Sequence, residues 1–312
     1  MFFRSKSLSL LFAAILFAIC LSLPASSYAN PKYASLVIDA DTGVVLHQEN
    51  AGKKRYPASL VKMMTLYMTF QALETGKLKM NQKLKVSSRA ARQPRSKLGL
   101  KRGSTITVRN AILALIIKSA NDAAVVLAEG VGGSEWKFAS MMNRMGKKLG
   151  MNDTNFVNAS GLHNKRQKTI AYDMARLAVA LRRDYPRYYP LFDRSQFYYK
   201  GKVYRSHNKV AKSYRGADGL KTGYINAAGF NLVTSARRSG QSVVGVVLGG
   251  RSSKRRDRHM VKLLDQAFYK MAKGKSPKET MHTGIVPSPN LKPGRSLQAS
   301  FPAPEPSLKP QV

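Results

Sequence analysis

Cysteine is all but missing from this chain: one occurs in 312 residues, Cys20, close to the N-terminus. Acidic residues are also scarce, 16 Asp and Glu against 53 Lys and Arg, for a formal charge of +37. So little cysteine excludes a disulfide framework and thiolate chemistry as organising features. The histidines, His47, His163, His207, His259 and His282, are scattered and no H-E-x-x-H pair occurs. No metal hydrolase is therefore expected, and no metal is assigned. G-x-S-x-G, the turn on which a Ser-His-Asp hydrolase usually mounts its nucleophile, is absent. So are zinc fingers, aromatic RNA-binding signatures and internal repeats. Apolar residues are not scarce: 44% hydrophobic and 9% aromatic content describe a folding chain despite its charge. The length gives room for one large domain or two medium ones around a sizeable core. The basic excess asks for an anionic partner, which by charge alone is nucleic acid, a membrane surface or an acidic cell-wall polymer.

The first residues narrow that choice. Arg4 and Lys6 precede an apolar run over residues 8–23, followed by Pro24 and the small-residue stretch Ala25-Ser26-Ser27-Tyr28-Ala29. A basic start, an apolar middle and an A-x-A-like end (Ser27, Ala29) predict a secretory signal peptide over residues 1–29. The run is short for a membrane span, which disfavours an uncleaved anchor. Ile19 is too bulky ahead of Cys20 for lipoprotein processing. Cleavage after Ala29 removes the cysteine and, of the basic residues, only Arg4 and Lys6. An exported protein, periplasmic or secreted, is not expected to meet cytoplasmic nucleic acid. Its charge points instead to carboxylate- or phosphate-bearing envelope polymers, or to a solvated surface.

Residues 276–312 carry eight of the fourteen prolines among Ser, Lys and Gln, and are expected to be a disordered tail. That tail has no apolar stripe, so no membrane-lying anchor is expected. The globular part is then residues 30–275. Segments 34–38 and 44–48 flank Asp39-Ala40-Asp41-Thr42-Gly43 and predict a hairpin. Helices are predicted over 59–75, stopped by Gly76, and from a Thr107 cap through Ile117. Further ones are expected from a Ser134 cap with a stripe of Trp136, Met141, Met145 and Leu149, over 169–183, and over about 256–272. Strands are predicted around Leu220, over 229–236 and over 242–248. Strands at both ends with helices between them predict an α/β (α+β) fold: an antiparallel sheet closed by the two termini, with an inserted helical subdomain.

Three short motifs carry the chemistry. In Ser59-Leu60-Val61-Lys62 the serine and lysine stand three apart, on one face of a helix. A neutral lysine can serve as base for such a serine, and the helix start leaves the Ser59 N–H free to hold an oxyanion. Taken alone, the motif is equally an N-cap serine beside a solvated lysine. Ser119-Ala120-Asn121 lies between two helical stretches, where a hydroxyl and an amide can enter a cleft or simply cap. Lys221-Thr222-Gly223 lies on a predicted strand, which sends Lys221 and Gly223 one way and Thr222 the other. Gly223 lets a ligand approach the backbone, although an ordinary edge-strand lysine also fits.

Together the three form the set shared by penicillin-binding proteins and class A β-lactamases. The surrounding text resembles the low-molecular-weight penicillin-binding D-alanyl-D-alanine carboxypeptidases. The resembling stretches are Ala58-Ser59-Leu60-Val61-Lys62-Met63-Met64-Thr65, Lys118-Ser119-Ala120-Asn121-Asp122-Ala123-Ala124 and Gly219-Leu220-Lys221-Thr222-Gly223-Tyr224. Asn158-Ala159-Ser160-Gly161-Leu162 and Ala228-Gly229-Phe230-Asn231 add to them, and the likeness runs from about residue 33 to 270.

The resemblance implies a serine β-lactamase/transpeptidase-like fold and a serine D,D-peptidase acting on peptidoglycan stem peptides. It needs no cofactor, and β-lactams would be its covalent inhibitors. Ser59 would attack the bond between two D-alanines and Lys62 would take its proton. Ser119 would relay a proton to the leaving amine, and Asn121 would orient Lys62 and the substrate amide. The N–H groups of Ser59 and Tyr224 would form the oxyanion hole, and Lys221 and Thr222 would engage the terminal carboxylate. A free lysine has a pKa of about 10.4, so Lys62 needs burial and a second cation, Lys221, to become a base.

A β-lactamase of class A deacylates through a Glu, and no Glu occurs over residues 143–216, where one would be expected. A D,D-endopeptidase cutting crosslinks would use the same motifs and stays open. A non-catalytic wall-binding protein would have lost a motif, whereas all are intact. Many of these carboxypeptidases carry a second β-rich domain and a C-terminal anchor helix. Little ordered-looking sequence follows residue 270, so no stable membrane anchor is expected.

Overall fold

The computed structural model describes residues 30–274; the expected signal peptide (1–29) and proline-rich tail (276–312) lie outside the described residues. The predicted hairpin forms as β1 (Ala34–Asp39) and β2 (Val45–Glu49), antiparallel. Helix α1 (Val61–Glu74) follows, then strand β3 (Lys83–Lys85), the short α2 (Ser88–Ala91) and β4 (Thr105–Thr107), which pairs with β3. Four helices come next: α3 (Val108–Leu113), α4 (Asn121–Gly132), α5 (Glu135–Lys148) and α6 (Ala171–Asp184). A small hairpin, β5 (Gln196–Tyr199) and β6 (Lys202–Arg205), leads to α7 (Lys209–Ser213). The chain closes with β7 (Ala217–Ile225), β8 (Gly229–Arg238), β9 (Gln241–Gly250) and α8 (Ser253–Ala272).

The main sheet is antiparallel in the order β2-β1-β9-β8-β7, so the first strand pairs with the last and the two ends of the fold close on each other. Ser239 and Gly240, both at positive φ, make the two-residue turn between β8 and β9 that matches strand twist. The run Ser242-Val243-Val244-Gly245-Val246-Val247-Leu248 does not alternate because both faces of β9 are covered. Val244, Val246 and Leu248 join the large core with α1, α4 and α6, while Val243 and Val247 meet Met260, Leu263 and Leu264 of α8. Apolar residues at 260, 263, 264, 267 and 268 give α8 one buried stripe. Helix α1 is buried on nearly every side, which makes it the central helix of the inserted helical part. Among the described residues no helix is long and apolar enough to cross a membrane.

Three predicted features differ, and one hairpin is not predicted. The Thr107 cap forms, with Oγ1 accepting from Asn110 N at 3.2 Å, but the helix ends at Leu113 and widens into a π turn over Ala114–Lys118. The Ser134 cap also forms, and Met145 and Leu149 of the predicted stripe are buried, but Trp136 is 76% exposed and its place in the core is taken by Phe138, Ala139 and Met142. Helix α6 starts at Ala171 rather than 169, because Thr169 is bridged to Arg55 through both backbone hydrogen bonds. The β5–β6 hairpin lacks a strong period-2 apolar pattern, since it is only half covered by core.

Candidate active site

A 3-10 turn, Ala58–Leu60, carries Ser59 at the entrance to α1, and Lys62 follows in the first turn of that helix. Ser59 is half-buried and Lys62 is fully buried. Lys62 Nζ lies 3.1 Å from Ser59 Oγ, 2.8 Å from Asn121 Oδ1, and in hydrogen-bond contact with the carbonyl oxygen of Ser160. Asn121 is oriented by its Nδ2, which donates to Pro94 O at 3.0 Å, so it turns its oxygen to the lysine. The proton count is informative. A neutral amine has two hydrogens and one lone pair, and two of the three neighbours here can only accept. Donating to Asn121 Oδ1 and Ser160 O leaves the lone pair for the Ser59 hydroxyl. Burial first, and then the Lys221 ammonium, hold Lys62 well below the ordinary lysine range, with Asp122 acting weakly the other way.

Ser119 sits where the π turn meets α4, at φ 58, and its buried Oγ has no hydrogen-bond partner. A left-handed serine is costly unless the fold holds it there. The Asp122 carboxylate does much of that holding. It accepts from the N–H groups of Leu98, Gly99, Leu100 and Ala123 at 2.9–3.1 Å and so ties loop 94–100 to the start of α4.

Strand β7 is the sheet's edge, with β8 as its one neighbour, so part of its backbone remains available on the cleft side. Lys221 is buried, and its Nζ donates to Thr222 O at 2.8 Å. Burial, with the Arg256 guanidinium as a second cause, brings Lys221 down to about 7. Gly223 is required by contact: a Cβ there would stand 3.0 Å from Ser59 N and 3.2 Å from Pro57 O. Tyr224 is half exposed beside Phe230, ring centroids 4.3 Å apart. All eight motif residues singled out in the sequence, Ser59, Lys62, Ser119, Asn121, Lys221, Thr222, Gly223 and Tyr224, gather at this place. Seven of them line a cleft of about 540 Å³, while the eighth, Lys62, is fully buried beside Ser59.

Residues without an assigned role in the sequence hold the nucleophile turn. Asn231, fully buried in β8, donates from Nδ2 to Tyr56 O (2.9 Å) and Pro57 O (3.0 Å) and accepts from Gly249 N (2.9 Å). Arg256 donates to Asn231 O at 3.0 Å. On the other flank, Asn158 Oδ1 accepts from Gly161 N at 2.7 Å, and Glu135 Oε1 accepts from Ala159 N at 3.1 Å. Gly161 has φ +86, and a Cβ there would overlap the Ala58 carbonyl. The common signal is a buried polar residue or glycine inside an apolar stretch, whose partners only the fold reveals.

Comparison with known proteins identifies the family. The family description peptidase S11, D-alanyl-D-alanine carboxypeptidase, matches residues 27–252. The chain is 34% identical over 248 residues to D-alanyl-D-alanine carboxypeptidase DacF of Bacillus subtilis, covering 78% of this chain and 64% of that protein. To DacA of Escherichia coli it is 34% identical over 240 residues, covering 75% and 60%. The chain thus spans less than two thirds of the length of these relatives. Penicillin binding protein 5 from Haemophilus influenzae superposes with a TM-score of 0.73 at 32% identity, over 76% of this chain and 70% of that one. Penicillin-Binding Protein D2 from Listeria monocytogenes, solved in its ampicillin-bound form, gives 0.70 at 32%, over 75% and 96%. The chain belongs to the D-alanyl-D-alanine carboxypeptidase family, peptidase S11.

Proposed function

We propose that this protein is a serine-type D-alanyl-D-alanine carboxypeptidase that removes the terminal D-alanine from peptidoglycan stem pentapeptides through an acyl-enzyme on Ser59. One observation carries the reading: a fully buried lysine, held well below the ordinary lysine range by burial, whose Nζ meets the Ser59 hydroxyl and two acceptors, Asn121 Oδ1 and Ser160 O.

In the proposed reaction Lys62 Nζ takes the proton from Ser59 Oγ as the oxygen bonds to the carbonyl carbon of the penultimate D-alanine. The N–H groups of Ser59 and Tyr224 receive the oxyanion. Its collapse breaks the C–N bond. The proton held on Lys62 passes through the otherwise unpartnered Ser119 hydroxyl to the leaving amine, and D-alanine departs. Lys221 and Thr222 hold the terminal carboxylate during this step. Water then attacks the ester carbon, giving its proton to Lys62, which passes it to Ser59 Oγ as the ester C–O bond breaks and the acid is released. Asn121 keeps the lysine lone pair directed throughout.

β-Lactams fit the same site as acylating inhibitors, as ampicillin binds the Listeria relative. Among the described residues Asp257 is the one acidic residue lining the cleft, and it is ion-paired to Arg256 at 2.7 Å. With no free carboxylate there to activate a water, the β-lactam adduct is expected to be long-lived. Export by a signal peptide over residues 1–29 would place the enzyme with its substrate in the envelope. Turnover of a stem pentapeptide and of a crosslinked peptide dimer tests the reading. Release of one D-alanine from the pentapeptide, with the dimer intact, is expected. Preferential cleavage of the dimer would make the protein an endopeptidase.

A further inference from the structure

A second groove, of about 350 Å³, opens beside the catalytic cleft between the foot of the β5–β6 hairpin and α7. Ser206 and Asn208 border both cavities, so the two are contiguous. Arg194 and Lys212 stand on the groove as cations, and Asp193 is its one carboxylate.

Asn208 is the unusual member. It is 7% exposed, and its Oδ1 accepts from Ala211 N at 3.2 Å as the N-cap of α7. The cap fixes which amide atom is oxygen, and so leaves Nδ2 as a buried donor with no hydrogen-bond partner. A buried donor without an acceptor is costly, and native folds seldom keep one without a use. Around it the chain carries seven Lys and Arg over residues 194–217 and no Asp or Glu. None of the seven (Arg194, Lys200, Lys202, Arg205, Lys209, Lys212, Arg215) is ion-paired among the described residues, and all are exposed. The groove thus combines a donor lacking an acceptor, two flanking cations and a positive field that Asp193, its one carboxylate, only partly offsets. What satisfies all three is a group bearing lone pairs and negative charge.

We propose that this groove is an anion subsite that holds a carboxylate or phosphate group of an envelope polymer while the adjoining cleft works on a stem peptide. The word "envelope" rests on the carboxypeptidase reading; the anion chemistry rests on Asn208, Arg194 and Lys212 alone.

The test is co-sedimentation of the full-length protein with purified bacterial cell walls in three forms: untreated, stripped of phosphodiester polymers by hydrofluoric acid, and carboxyl-amidated. Two variants are compared with the parent. Asn208→Asp keeps the helix cap but replaces the donor with a negative charge. Arg194→Glu/Lys212→Glu reverses the flanking charges. Each is expected to lose wall affinity by about tenfold or more, the scale of one lost charge-assisted hydrogen bond. Circular dichroism should show an unchanged fold. Loss of parent binding on phosphodiester removal assigns phosphate as the ligand, and loss on amidation assigns carboxylate. The proposal is overturned if either variant binds untreated walls within twofold of the parent, or if parent binding survives both treatments. Penicillin acylation of Ser59, measured on the same samples, keeps the two readings apart. Its absence would sink the carboxypeptidase assignment and leave the subsite result standing, and Arg194→Glu/Lys212→Glu should acylate like the parent.

Discussion

Asn231→Ala should damage both stability and the acylation rate, although Asn231 is not part of the proposed chemistry. The side chain makes three hydrogen bonds, a part-buried one to Tyr56 O and buried ones to Pro57 O and Gly249 N, and these pin the segment preceding Ser59 to strands β8 and β9. Truncation removes all three. Pro57 O keeps its bond from Leu60 N at 3.2 Å, but the Tyr56 carbonyl, in a part-buried site, loses its Asn231 donor. At about 0.5–1.5 kcal/mol per bond, and more for a buried group left unsatisfied, the loss is about 2–5 kcal/mol. For a domain of this size that lowers the melting temperature by roughly 5–15 °C. The released turn also carries the nucleophile, and misplacement by an ångström costs on the order of 100-fold in rate. The assay pairs thermal unfolding with the second-order rate of penicillin acylation at 25 °C. Leu264→Ala is the control: it is a buried residue of α8 whose truncation costs a similar 2–5 kcal/mol without touching the turn. The reasoning fails if Asn231→Ala loses less than about 1 kcal/mol. It also fails if, equally destabilised, it acylates as fast as Leu264→Ala.

Other substitutions probe separate parts of the account. Lys62→Arg should abolish acylation by penicillin while the protein still folds, because a guanidinium does not give up its proton at neutral pH; normal labelling would remove Lys62 as the base. Gly161→Ala should cost at least about 1–3 kcal/mol from the left-handed φ alone, and slow acylation as the Ala58 carbonyl is pushed aside; an unchanged melting temperature would contradict the packing. A hydrogen-bonded row joins β2 to α8 through His47, Ser35, Tyr33 and His259, with contacts of 2.8, 2.7 and 2.5 Å. Burial is the first cause holding both histidines below the ordinary 6.5. The unfolded chain therefore binds more protons as pH falls, so their contribution is complete above about pH 6.5 and is lost on acidification through the folded values. Melting temperatures between pH 8 and 5 should fall less steeply in His47→Gln than in the parent; parallel curves would refute the linkage.

Much of the fold and site follows from local signals in the sequence. The β1–β2 hairpin reads from a turn between two apolar segments, α8 from its stripe, and the Thr107 and Ser134 caps from residue type and position. Ser59 and Lys62 meet because three residues make nearly one helical turn. Other features depend on contacts distant in sequence. Trp136 reads as core by hydrophobicity, yet the helix turns it to solvent, because Phe138 and Met142 define the face that meets its neighbours. Thr169 has the chemistry of a cap but is taken by Arg55 from a remote segment. Asp122 and Asn231 look like ordinary polar residues until the fold surrounds each with backbone partners 18–175 residues away. Motif chemistry is local here, and the scaffold that aims it is not.

The central claim is that Ser59, activated by a neutral Lys62, forms the acyl-enzyme. Incubating the protein with a penicillin, digesting it and mapping the adduct by mass spectrometry tests this directly. The account predicts one adduct per chain, on the peptide containing Ser59, and none in Ser59→Ala. An unmodified Ser59 peptide in folded protein, or an adduct on a different residue, would contradict it.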